Sequence, residues 1–153
     1  MKKVLIFVAT FFAFSAISQA QIIKSNVPEG ADPAALPITF LNADALALPN
    51  GDIQMGVAIK ATARNIGTLV YLPGNQPLKV KLYLKKGNLW KEVDSKTVNV
   101  LPPGSETSMN FYTSYILGKD PKPSFRLVVE SKNVGVVNPD VNMNNNVKEA
   151  QAQ

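Results

Sequence analysis

The sequence predicts an all-β fold: an antiparallel two-sheet β-sandwich of roughly seven or eight short strands. Three observations lead there. Apolar and polar side chains alternate with period two over several runs. Pro, Gly and Asn clusters interrupt those runs every 8–12 residues or so, the spacing of turns in sandwiches. Nowhere does helical spacing persist beyond a turn or two.

The chain opens MKKVLIFVATFFAFSAISQAQ, with Lys2 and Lys3 before the uncharged apolar run Val4 to Ile17 and small residues at Ser18 and Ala20. This reads as a secretory signal peptide over residues 1–20, cleaved after Ala20. The apolar run is shorter than the roughly 20 helical residues a bilayer needs, and no second one follows, so no transmembrane segment is expected. Export places the protein in the periplasm or outside the cell. No cysteine stands at the cleavage site to carry a lipid, and none is present to form a disulfide. The remaining 133 of 153 residues amount to one domain, large enough to hold together by packing alone. Without Lys2 and Lys3, 14 basic residues face 11 acidic ones, a mild net charge of +3.

Residues 21–35 contain Pro28, Gly30 and Pro33 without any period and are expected to form a flexible leader before a sandwich domain over 36–150. Pro37 to Leu41 opens the sheet. The turn Pro49-Asn50-Gly51-Asp52 introduces the strongest strand, Ile53 to Ala63. Along it Ile53, Met55, Val57, Ile59, Ala61 and Ala63 share one face, and Gln54, Gly56, Ala58, Lys60 and Thr62 the other. Leu78, Val80, Leu82 and Leu84 alternate with Lys79, Lys81, Tyr83 and Lys85. Gly87-Asn88 fits a tight hairpin turn that returns Leu89 to Val93. Further strands are expected at Lys96–Leu101, Thr107–Tyr112, Ser124–Ser131 and Asn146–Ala150, with 151–153 a disordered tail.

Four marks, taken in order and spacing, resemble the CARDB-like family (cell-adhesion-related domain found in bacteria). They are the turn Pro49–Asp52 before a long alternating strand, Asn65-Ile66-Gly67 at its end, Leu101-Pro102-Pro103-Gly104 before a later strand, and an Asn-rich tail from Asp140 to Asn146. The resemblance covers about Leu36 to Val147 and implies an immunoglobulin-like β-sandwich used for adhesion or binding rather than catalysis. One departure is that the glutamates usual before the paired Asn are replaced here by Val141, Asn142 and Met143.

Asp140-x-Asn142-x-Asn144-Asn145 has the spacing of half a calcium loop, but Gln151 stands where a bidentate Glu is needed. One carboxylate makes a poor divalent site, so the segment reads as turn chemistry that leads into the closing strand, and no metal is expected. Zinc lacks its usual ligands, because the chain has no His and no Cys. The same absence removes the common activating bases for a nucleophile, and the 11 acids are scattered; no enzyme and no cofactor is expected.

The candidate binding residues are Lys79, Lys81, Tyr83, Lys85 and the single tryptophan, Trp90. A cationic face with one ring suits an acidic or glycan surface; the same lysines equally suit a strand kept from aggregating. Tyr71, Tyr112 and Tyr115 fall in or near loops, where rings either stack on sugars or close the end of a core. Arginine is scarce and the chain is read as exported, so nucleic acid is not an expected partner. The reading is an exported, non-catalytic module that recognises a surface protein or an extracellular glycan. The alternative is a structural or assembly subunit pairing through strand edges.

Overall fold

The computed structural model describes residues 27–41, 44–72, 77–131 and 136–153. The expected signal peptide and the first residues of the leader lie outside them. The strands are β1 (Pro33–Ala35), β2 (Thr39–Phe40), β3 (Ala45–Ala47), β4 (Ile53–Asn65), β5 (Leu78–Lys86), β6 (Leu89–Val98), β7 (Glu106–Ile116), β8 (Ser124–Glu130) and β9 (Val147–Gln151). They form two antiparallel sheets. In the first, β7 runs along one edge of β4 from Arg64 to Gln54, and β1, β2 and β3 follow one another along the other edge. In the second, the order is β6-β5-β8-β9.

The alternation places the core. Ile59, Ala61 and Ala63 of β4 face Leu78, Val80 and Leu82 of β5 and Phe125, Leu127 and Val129 of β8, all buried. Phe125 meets the edges of Phe40 and Phe111 at 6.0 and 6.3 Å between centroids. Glycines set the corners. Gly51 (φ +84°) turns β3 into β4, with the Asn50 side chain holding Asp52. At the β5–β6 turn Gly87 alone takes positive φ (+59°), the geometry of a two-residue turn with Gly first. Pro102, Pro103 and Gly104 (φ +72°) close a turn through the Ser105 N–H to the Pro102 carbonyl.

Three expectations need correction. The described part of the leader is not free: Ala31, Asp32, Ala34 and Ala35 are buried, and β1 pairs with the last residues of β4. Three residues are too few to show a period, and Pro33 starts an edge strand where its missing N–H costs nothing. The strand expected at Lys96–Leu101 is instead the continuation of β6, whose register shifts between Leu82 and Tyr83 so that Val93 is one residue too many. That bulge breaks the alternation and imitates a strand end. The last residues are not a loose tail either: Gln151 belongs to β9, and Ala152 is buried and donates its N–H to the Pro123 carbonyl.

The two ends of the sandwich differ. One end gathers Asn65, Asp32, Asp140 and Asn146, near where the described chain begins. At the other, Phe40, Leu41, Met55, Tyr115, Ala152 and Gln153 line an apolar cleft of about 330 Å³ where the chain finishes.

Candidate functional site

Register brings the predicted basic stripe to the outer face of the four-stranded sheet. Lys79 and Lys85 are exposed, and Lys81 and Tyr83 half-buried. It is not a purely cationic face. Lys81 Nζ lies 2.9 Å from Glu130 Oε1 on β8 and 3.7 Å from Glu92 Oε2 on β6. Its hydrogen bond to Glu130 holds the Lys81 ammonium above the ordinary lysine value. Arg126, opposite Tyr83, directs Nε and Nη2 to Glu149 Oε1 at 2.7 and 2.6 Å. The face is a ladder of alternating sign, with each exposed pair contributing little stability.

Trp90 pairs across the hairpin with Lys85. Its half-buried ring has the Arg126 guanidinium 4.3 Å from its centroid and Lys85 Nζ at 5.9 Å. Beside it a depression of about 300 Å³ is lined by Lys85, Trp90, Ser124, Glu149 and Gln151. Thus Lys85, Tyr83 and Trp90 cluster at one end of the face, and Lys79 sits at the other. Arg126 and Glu149 complete the cluster, yet sequence reasoning missed both. Their neighbours come from adjacent strands, and only the pairing register reveals them.

The tyrosines separate. Tyr71 and Tyr115 belong to the core. Tyr112 is 61% exposed on the outer face of the first sheet, and its ring lies over Gly56, where a Cβ would collide with it.

The Asn-rich segment belongs to a second, buried polar cluster. Asn65, fully buried, accepts from the N–H groups of Asp32 (3.0 Å) and Gly67 (3.1 Å) through Oδ1, and donates through Nδ2 to the carbonyls of Leu69 and Leu101 (both 2.8 Å). Gly67 has no Cβ because one would overlap the Gly30 carbonyl. The Asn65–Gly67 and Leu101–Gly104 marks are therefore two sides of one junction. Next to it, Asp140 accepts from the Asn142 N–H, the Ser131 hydroxyl and Asn146 Nδ2, and Asp32 accepts from Asn145 Nδ2 at 2.9 Å. Burial pushes the Asp32 carboxyl above the ordinary carboxylate value; the Asn145 hydrogen bond offsets part of this, and the nearby Asp140 charge adds to it. The asparagines thus bond to side chains across the fold as well as shaping a local turn.

No protein-family model matches the chain, and no curated protein matches it. Among solved structures it is similar to the CARDB domain of a Pyrococcus furiosus protein, crystallised in complex with di-metal ions. The TM-score is 0.56 at 18% identity, with 84% of this chain and 93% of that chain covered. At that identity the likeness establishes the fold: this chain folds as a CARDB-like β-sandwich.

Proposed function

We propose that the protein is an exported, non-catalytic adhesion-type module that binds an extracellular glycan on the outer face of its four-stranded sheet. The observation that carries this reading is the surroundings of Trp90. Arg126 stacks on the ring, and a depression of about 300 Å³ beside it offers Lys85, Ser124, Glu149 and Gln151 as hydrogen-bonding groups. An aromatic face beside polar side chains and a charged pair is the chemistry that recognises a sugar: the ring covers C–H groups, and the polar groups take the hydroxyls. The mixed charge of the face favours a neutral or weakly charged sugar over a strongly acidic polymer.

Trp90 is the only tryptophan, so its fluorescence reports on this site alone. Titration with soluble envelope and extracellular polysaccharides is expected to shift its emission saturably. Trp90→Ala should weaken binding at least tenfold, about 1.4 kcal/mol. Unchanged emission across the panel, together with retention of the Trp90→Ala variant on envelope material, overturns the reading. Capture of a protein that glycan does not displace makes the partner a surface protein instead.

Assembly through strand edges has less support. By register Asp94 and Lys96 of the edge strand β6 share the inner side with Leu82 and Val80. Inward charges and a bulge are features that discourage a further strand from docking.

A further inference from the structure

We infer that the buried polar cluster binds one divalent cation of the calcium class, held by the Asp32 carboxylate and the side-chain oxygens of Asn145 and Asn146, with Asp140 as the second negative charge. Three acceptor oxygens in this cluster, Asp32 Oδ2, Asn145 Oδ1 and Asn146 Oδ1, are buried and have no hydrogen-bond partner among the described residues. Asp32 is 0% and Asn146 4% exposed, so bulk solvent does not reach them.

The amide orientations are fixed by their neighbours. Asn146 Nδ2 donates to both Asp140 Oδ2 (2.7 Å) and Ser131 Oγ (3.0 Å), and Asn145 Nδ2 donates to Asp32 Oδ1. Turning either amide over would set oxygen against carboxylate oxygen. The unpartnered atoms are therefore oxygens, beside two carboxylates brought together from distant parts of the chain. A divalent cation would accept lone pairs from all three of these oxygens at once.

The donor chemistry narrows the ion. Every available atom is a hard oxygen, and the chain has neither His nor Cys, which disfavours zinc and suits calcium. The sequence argument against calcium rested on a single carboxylate in the Asp140–Gln151 loop. The fold supplies the other from residue 32, which Asn145 meets across 113 positions of sequence. Among the described residues no three acidic side chains gather, so two carboxylates and two amides make a weak site. Its affinity belongs with extracellular calcium modules, dissociation constants on the order of 10⁻⁴–10⁻³ M.

The test is thermal unfolding of the purified protein in chelator and in excess CaCl2, with MgCl2 for comparison, alongside equilibrium dialysis against calcium. CaCl2 is expected to raise the midpoint by about 5 °C or more at saturation, and MgCl2 by much less. Dialysis should find about one ion per chain. The near-isosteric Asp32→Asn should lose both the rise and the bound ion; if it does not fold, Asn145→Ala reads the same loss. A wild-type midpoint that calcium leaves unmoved, with nothing bound, overturns the inference and assigns the oxygens to buried water. A rise that survives Asp32→Asn overturns it too, since the ion then sits elsewhere, and an equal response to magnesium rejects the calcium class.

Discussion

Asn65 joins more of this fold than any other single side chain described above. Its side chain satisfies two N–H groups and two carbonyls, and its own N–H and carbonyl bond to Ser105 and Gly104. Asn65→Ala would strand the buried N–H groups of Asp32 and Gly67 at the meeting point of the leader, β4 and the turn before β7, whereas the Leu101 carbonyl keeps the Tyr71 N–H and Leu69 is exposed. Each stranded group costs about 1–3 kcal/mol, so the variant is expected to lose at least about 2 kcal/mol in urea unfolding. Asn65→Asp should fare little better, because it sets a carboxylate oxygen against the Leu69 and Leu101 carbonyls. A loss below about 1 kcal/mol for either would mean that the junction relaxes around the change. The sequence made Asn65-Ile66-Gly67 visible as a mark at the end of a strand. It could not show that the mark is a four-bond anchor, since two of the four partners lie 33 and 36 residues away.

At the level of elements, legibility followed the length of unbroken alternation. β4, β5 and β8 carry enough alternating residues to declare their inner faces, and those faces, apart from the exposed Ile53, line the core. β1, β2 and β3 have two or three residues each, and a period cannot be read from so few. β6 was half legible: its polar residues and its bulge hid the continuation past Val93. The candidate site shared that limit. Lys79, Lys81, Tyr83 and Lys85 were correctly placed on one side of β5, yet their carboxylate and arginine neighbours depend on register between strands. Turn glycines permit a sharper test of element ends. A Cβ at Gly87 meets open space, so Gly87→Ala pays only for the positive φ, about 1 kcal/mol. A loss above about 3 kcal/mol would show that the β5–β6 hairpin depends on more than its backbone angle.

For the whole molecule, the sandwich begins earlier than its alternation suggests. Ala31, Asp32, Pro33, Ala34 and Ala35 fill one end of the core, and β1 extends the sheet along β4. A chain started at Leu36 is therefore expected to lose several kcal/mol of stability relative to one started at Val27, through lost apolar burial and lost ladder bonds. Chemical unfolding of the two chains compares them directly; equal midpoints would return these residues to the role of a tether. The two-sheet plan was readable because period-two patterning is a property of every long strand, whereas the closing of one end by residues 31–35 against 140–146 is a property of the assembled molecule alone. That closing has a mechanical side. The first described residues leave beside Asp140, and Gln153 leaves from the opposite end, past the Met55 and Tyr115 cleft. A chain anchored by its beginning would hold its far end away from the anchor, and tension between the two would run lengthwise along the strands. Ladder bonds lie crosswise to strands in antiparallel sheets, so such a pull would have to shear the β1–β4 and β8–β9 rungs together rather than unzip them singly.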